Sequence, residues 1–93
     1  MKMASYEKDV EKITTRLKRI EGQMRGIQRM VADGKYCVDI LTQISSVIAA
    51  TEKVGLMILR DHIKGCVRDS MSGKDADQSI DELVMVVERF LKT

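Results

Sequence analysis

The chain has 93 residues, of which 44% are hydrophobic and 32% charged, and its net charge at pH 7 is only +2. These values are typical of one soluble domain, which we expect to span residues 1–93. No apolar run is long enough to cross a membrane and no secretory signal pattern opens the chain, so we expect a cytoplasmic protein with no membrane partner. Two cysteines are too few for a disulfide framework and fit a reducing compartment, where paired thiols more often bind metal or sense redox state.

Proline is absent and aromatic residues make up only 3% of the chain, while aliphatic residues, Met, Lys, Arg and Glu dominate. This composition predicts an all-α fold. The charge is uneven: residues 1–30 carry a net +4, residues 31–71 are neutral and residues 72–93 carry −2. The N-terminal third is therefore the basic part of the chain, and the tail is acidic.

The first predicted helix covers about residues 6–32. Its apolar residues recur in alternating steps of three and four, which is a heptad seam: Val10, Ile13, Leu17, Ile20, Met24, Ile27 and Val31. A basic strip lies beside this seam within about 80° of the helix surface, counted at about 100° per residue. It consists of Lys8, Lys12, Arg16, Arg19 and Gln23.

We expect the basic strip to stay exposed when the seam is buried. The ordinary explanation of such a strip is a solvated helix face. The functional explanation is DNA binding, in which Lys and Arg neutralise phosphates and Gln23 and the arginines reach base edges.

The remaining helices follow two predicted turns. Asp33-Gly34 predicts the end of the first helix, with Gly34 in the left-handed conformation. The second helix is predicted at about residues 36–71, and Gly73 is its predicted stop. The third is predicted at about residues 76–91, with these residues facing inward: Ile80, Leu83, Val84, Val87 and Phe90. Because the third helix is too short to cover the apolar stripes of the other two, we expect self-association through a two-fold axis.

Both cysteines and the only histidine form one candidate set, Cys37, His62 and Cys66. His62 and Cys66 are four residues apart, so they share one face of a helix. Cys37 precedes His62 by 25 residues, which is about 37 Å along a continuous helix. A second copy running antiparallel would bring its Cys37 beside this pair. A chain reversal near Gly55 would instead bring Cys37 to Cys66 within one chain, but the unbroken apolar period there favours the intersubunit site.

The chemistry of the set favours Cu(I). Thiolates select Cu(I), zinc or iron–sulfur clusters. Structural zinc usually takes four protein ligands, and only three are found here. Nickel and cobalt prefer more nitrogen or oxygen donors, and the chain has no second histidine. Each of the three residues, taken singly, is an ordinary core residue; their shared face is what indicates a site.

Three phrases resemble the copper-sensitive operon repressor family, the copper-sensing branch of the metal-sensitive transcriptional repressors. They are Tyr36-Cys37, Asp61-His62-Ile63-Lys64-Gly65-Cys66 and Arg16-Leu17-Lys18-Arg19-Ile20-Glu21-Gly22-Gln23, and the layout matches from about Tyr6 to Leu91. The resemblance implies an antiparallel four-helix-bundle dimer that doubles into a tetramer. It also implies Cu(I) bound by Cys37 of one subunit and by His62 and Cys66 of the other.

The resemblance implies roles for three further residues. Tyr36 and Glu82 match residues that hydrogen-bond around the ligand histidine, and Lys53 matches a DNA-binding position. Tyr36 is explained equally well by packing at the helix entry, and Glu82 by an acidic residue near a helix start.

The ligand set separates this chain from other branches of the family. Nickel and cobalt sensors carry a histidine near the N-terminus, persulfide sensors lack the ligand histidine, and formaldehyde sensors lack the second cysteine. The opening Met1-Lys2-Met3-Ala4, His62 and Cys66 each favour the copper branch.

The expected function is a Cu(I)-responsive repressor, not an enzyme, whose apo homotetramer binds operator DNA and releases it on binding Cu(I). A copper chaperone is a further candidate partner. The first alternative is a thiol-redox or persulfide-sensing repressor that uses Cys37 and Cys66 and does not need His62. The second is a copper-storage protein that does not bind DNA. Catalysis has the least support, since no open metal position with a nearby base is evident.

Overall fold

A computed structural model of the chain describes residues 6–71 and 76–91, without the side chains at positions 66, 69–71, 76, 77 and 79. A short 3-10 turn, Glu7–Asp9, precedes three α-helices: α1 is Val10–Ala32, α2 is Cys37–Met71 and α3 is Ala76–Leu91. The predicted all-α class with three helices is confirmed. The predicted stop at Gly73 lies outside the described residues.

The turn after α1 is closed by backbone hydrogen bonds around Gly34. The Gly34 amide donates to the carbonyl of Val31 (3.1 Å), and the Lys35 amide donates to that of Met30 (3.0 Å). This pair of bonds is the Schellman motif, which satisfies carbonyls that the end of a helix leaves without partners. Gly34 has a φ of 67°, so the predicted left-handed glycine is confirmed.

The chain divides into two compact units. One comprises Asp9–Val54, which holds α1 and the first half of α2; the other comprises Gly55–Thr93 together with Met1–Lys8, and holds the second half of α2 and α3. The expectation that residues 1–93 form one domain stays a prediction.

In the Asp9–Val54 unit the most buried apolar residues are Ile13 and Val54, which are 5% and 4% exposed. Along α1 the more buried positions other than glycine are spaced by three and four residues: Ile13, Arg16, Ile20, Gln23, Ile27 and Met30. The other members of the predicted seam, among them Leu17 (46%) and Met24 (45%), are exposed in the single chain, so the burial of the whole seam stays a prediction. One neighbouring helix covers only a few rows of side chains on an α-helix, so the other residues of a broad apolar stripe remain exposed to solvent.

Helix α2 is unbroken over 35 residues. Three of its hydroxyl groups donate to the carbonyl four residues earlier: Thr42 to Val38 (2.8 Å), Ser46 to Thr42 (3.3 Å) and Thr51 to Val47 (2.7 Å). These side chains are therefore satisfied by their own helix. The alternative in which the chain reverses near Gly55 is wrong, because Gly55 lies inside this helix.

In the unit that begins at Gly55, α3 presents one stripe of half-buried residues, which are Leu83, Val86, Val87 and Phe90. Ile80 and Val84, which we expected to face inward, are exposed in the single chain, and Val86 is half-buried instead. In the described ranges, no helix combines the length and apolar character needed to cross a membrane.

Candidate metal centre and DNA-binding face

The histidine of the candidate set faces a carboxylate from another helix. His62 Nε2 on α2 lies 3.9 Å from Glu82 Oε1 on α3, and the two side chains are 25% and 55% exposed. This distance is too long for a hydrogen bond. His62 Nε2 is nevertheless buried, and no group among the described residues hydrogen-bonds to it. The imidazole thus turns Nε2 toward Glu82.

The two cysteines lie in the same helix as His62. Cys37 is the first residue of α2 and has an exposed, free thiol. Cys66 follows His62 by four residues in α2, and its side chain lies outside the described part of the chain. Because α2 is continuous, the 25 residues from Cys37 to His62 correspond to about 37 Å of helix. Among the described residues, no group of three or more His, Cys, Asp or Glu is arranged to hold a metal.

Tyr36 has a backbone role at the start of α2. Its carbonyl accepts hydrogen bonds from the amides of Asp39 (3.0 Å) and Ile40 (3.2 Å), so it begins the hydrogen-bond pattern of the helix. Its side chain is exposed. The predicted contact of Tyr36 with a ligand histidine therefore stays a prediction.

The basic strip is only partly exposed. Lys8, Lys12 and Arg19 are exposed, whereas Arg16 and Gln23 are half-buried, and Gln23 Oε1 is fully buried with no hydrogen-bond partner in the described ranges. The expectation that the whole strip stays exposed is wrong, because the buried line of α1 runs through two of its members. An arginine is able to bury its aliphatic stem and keep its guanidinium in water. Lys53 on α2 is exposed.

Sequence reasoning did not predict the burial of Asp61 or the contact between Phe90 and Gly55. Asp61, directly before His62, is 9% exposed. Phe90, the only phenylalanine, lies against Gly55. The sequence held one signal for this contact, a glycine within an otherwise regular apolar period.

The family described as metal-sensitive transcriptional repressor matches residues 9–89 of this chain. The chain belongs to that family.

Its relatives are transcriptional repressors, not enzymes, and several sense copper. The chain is 53% identical to the copper-sensing transcriptional repressor CsoR of Bacillus subtilis over 90 residues, covering 97% of this chain and 87% of that protein. It is 38% identical to the copper-sensing repressor RicR of Mycobacterium tuberculosis, covering 95% and 94%. These relatives support the copper-sensing branch that the ligand residues indicated.

A solved structure shares the fold closely. The copper-sensing repressor CsoR of Geobacillus thermodenitrificans, determined with Cu(I), superposes with a TM-score of 0.83 at 44% identity and covers 90% of this chain and 88% of that one. The nickel-responsive regulator InrS superposes almost as well, with a TM-score of 0.82 at 34% identity over 86% and 90%. The family fold therefore serves sensors of different metals, and the ligand residues must carry the discrimination.

Proposed function

We propose that this protein is a Cu(I)-responsive transcriptional repressor. Its apo form binds operator DNA, and Cu(I) binding at a site shared between subunits releases it. The ligands are Cys37 of one protomer and His62 and Cys66 of its partner. The copper-sensing relatives and the Cu(I)-containing structure of a similar repressor support this function. Such a repressor acts on DNA in the cytoplasm.

The unbroken helix α2 is the observation that carries the shared site. Cys37 lies at its first residue and His62 lies 25 residues further on, so one ion cannot bind both within a chain. Two α2 helices packed antiparallel bring each Cys37 beside the other chain's His62 and Cys66. The thiolate, imidazole and thiolate donors fit Cu(I) better than harder cations.

The exposed apolar residues of α2 support the assembly. A single chain leaves much of this helix's apolar surface in water: Val38, Leu41, Ile44, Ile48, Leu56, Ile58, Ile63 and Val67. Soluble monomers seldom expose large apolar patches, which mark sites of association. We infer an antiparallel four-helix bundle around a two-fold axis, two of which form the homotetramer.

The proposed switch runs through His62 and Glu82. Bound Cu(I) supplies a soft cation that joins two thiolates and one imidazole across the subunit boundary. His62 then donates its Nε2–H, and the acceptor is Glu82 on α3, whose Oε1 lies 3.9 Å away. A hydrogen bond between them requires that the 3.9 Å separation shorten, which moves α3 relative to α2. Acceptors of this kind fix the orientation of metal-bound histidines.

The basic strip and Lys53 supply the DNA contact in this proposal. Their cations neutralise phosphates and release counterions, so affinity should fall steeply with salt. A shift from about 99% to 1% binding-competent protein needs about 5.5 kcal/mol of differential affinity. By linkage, DNA must weaken Cu(I) binding by the same factor.

The test is an anaerobic Cu(I) titration of the reduced protein bound to a fluorescent fragment of the DNA upstream of its own gene. We expect the anisotropy to fall to that of free DNA as Cu(I) approaches one equivalent per protomer. Cys37→Ser should bind the same DNA and keep it when Cu(I) is added. Unchanged anisotropy in the wild type contradicts the function, and release from Cys37→Ser contradicts the ligand assignment.

A thiol-sensing repressor is the second candidate, favoured by the exposed, free thiol of Cys37. It would join Cys37 of one chain to Cys66 of its partner by a disulfide or polysulfide link and would not need His62. DNA release from His62→Ala by a persulfide donor would favour it. Failure of the wild-type protein to bind the fragment would favour a copper-storage protein instead.

A further inference from the structure

The ring of Phe90 on α3 occupies the space that a side chain at Gly55 of α2 would need, within the unit that begins at Gly55. A Cβ added at Gly55 would stand 2.5 Å from Phe90 Cε1 and 2.8 Å from Cζ. Carbon atoms in contact lie about 3.5–4.0 Å apart, so a larger residue at position 55 does not fit while the ring stays in place. Glycine inside a helix is less stable than alanine, and at position 55 it leaves room for the ring. This arrangement is termed the Gly55–Phe90 contact.

The Gly55–Phe90 contact and the His62–Glu82 pair set the same register between α2 and α3. Gly55 precedes His62 by seven residues, and Glu82 precedes Phe90 by eight. These separations are about 10.5 Å and 12 Å along their helices. The order of the residues at the two contacts shows that the two helical segments run antiparallel. The distance between the two contacts is nearly the same along both helices. A change at one point therefore displaces the other.

The His62–Glu82 distance is sensitive to small displacements. His62 Nε2 and Glu82 Oε1 are 3.9 Å apart, less than about 1 Å beyond hydrogen-bond reach. A methyl group at Gly55 would need the ring to retreat by about 1 Å to reach a normal contact distance. The two displacements are similar in size.

We propose that Phe90 is a positioning residue, whose ring on Gly55 holds α3 in the register at which Glu82 meets His62. The expected effect of Phe90 on DNA release by Cu(I) rests on the function proposed above. Its effect on the register between α2 and α3 does not depend on that function.

The first measurement is NMR of the metal-free protein at one fixed pH. The chain has one histidine, so the imidazole signals of His62 are unambiguous. Glu82→Gln defines the change in these signals when the carboxylate charge is lost. Gly55→Ala should move them in the same direction by at least half as much. Gly26→Ala is the matched control, because nothing lies within 4 Å of a Cβ added there, and it should leave them unchanged.

A double variant separates positioning from general damage. Phe90→Leu removes Cε1 and Cζ, the two atoms that the new methyl group would meet, and keeps a branch near Cδ1, which lies at an acceptable 3.7 Å. Phe90→Leu alone should displace the His62 signals, because the space beside Gly55 is then left unfilled. In Gly55→Ala combined with Phe90→Leu the new methyl group occupies the space that Cε1 and Cζ leave, so the His62 signals should return toward the wild-type positions. If Gly55→Ala alone does not fold, the double variant decides: wild-type-like signals support the proposal and displaced signals overturn it.

The second measurement is the ratio of DNA dissociation constants with and without Cu(I). This ratio should fall at least tenfold in Gly55→Ala and recover in the double variant. Wild-type His62 signals in Gly55→Ala, or no change in Glu82→Gln, would overturn the positioning role. Wild-type protein that keeps its DNA in Cu(I) would refute the proposed function, while the NMR measurement would still decide the register.

Discussion

The two units of the chain bury different kinds of residue. The buried residues of Asp9–Val54 are the apolar Ile13 and Val54, whereas the buried residue described in Gly55–Thr93 is the charged Asp61. The second unit also draws His62 partly out of water beside Glu82. Apolar burial is stabilising without further conditions, but a buried polar group depends on its partners. We infer that the side chains buried in the first unit mainly stabilise it, whereas those of the second unit are able to respond to a change at their polar groups.

The residues proposed for DNA binding and those proposed for metal binding lie in different units, with two exceptions. Four members of the basic strip and Lys53 belong to Asp9–Val54, with Lys8 grouped in the other unit. His62, Cys66 and Glu82 belong to the unit that begins at Gly55, while Cys37 does not. Helix α2 contributes to both units, so it is the element through which metal binding would act on DNA binding.

The largest expected effect tests the apolar burial of the first unit. Ile13→Ala should lower the free energy of unfolding by about 2–5 kcal/mol, because it leaves a cavity at a 5% exposed site. Leu17→Ala is the comparison, since Leu17 is 46% exposed in the single chain, and its cost should be smaller. Urea denaturation of the metal-free protein measures both. An equal cost for Leu17→Ala would show that a partner chain covers the rest of the predicted seam.

The next effect separates DNA binding from metal response. Arg19→Ala should weaken apo DNA binding about tenfold, or about 1.4 kcal/mol, and lower the slope of log K against log salt by about 1. It should leave Cu(I) affinity of the free protein unchanged. His62→Ala should do the reverse, keeping apo DNA binding and losing release by Cu(I).

Arg25→Ala is the matched control for that comparison. Arg25 is exposed and lies nine residues beyond Arg16, which places it on the opposite side of α1 at about 100° per residue. A loss of DNA affinity in Arg25→Ala equal to that in Arg19→Ala would show a general effect of charge and count against the basic strip.

Local sequence patterns predicted the helices and the turn at Gly34, but they did not predict contacts between residues that are distant in sequence. Gly34 was identified because the end of a helix is determined by the residues next to it in sequence. Cys37, His62 and Cys66 were identified because the chain has so few soft donors. The heptad pattern found Ile13 but also selected Leu17, since periodicity marks an apolar stripe without showing which neighbour covers which edge. The Gly55–Phe90 contact joins residues 35 positions apart, and no local rule pairs them.

A smaller effect is expected at the turn between α1 and α2. Gly34→Ala should cost about 1–2 kcal/mol, because its φ of 67° is unfavourable for a residue with a Cβ. Gly22→Ala should instead stabilise the metal-free protein by up to about 1 kcal/mol, since it lies inside α1 with nothing within 4 Å of an added Cβ. Thermal unfolding of both variants gives the comparison. Equal signs for the two changes would contradict the backbone argument.

The smallest effect concerns the ion pair between Arg25 and Glu21 on α1, in the unit where apolar burial dominates. The atoms Nη1 and Oε1 are 3.5 Å apart, and the side chains are 62% and 67% exposed. Water and salt screen such a pair, so a double-mutant cycle of Glu21→Ala and Arg25→Ala should give a coupling of about 0.3–0.5 kcal/mol that falls as salt is added. A coupling above about 1 kcal/mol that salt does not reduce would mean that assembly removes this face of α1 from water. The face opposite Arg16 would then belong to a protein interface, and the division between a stable unit and a responsive one would have to be drawn for the oligomer instead of the chain.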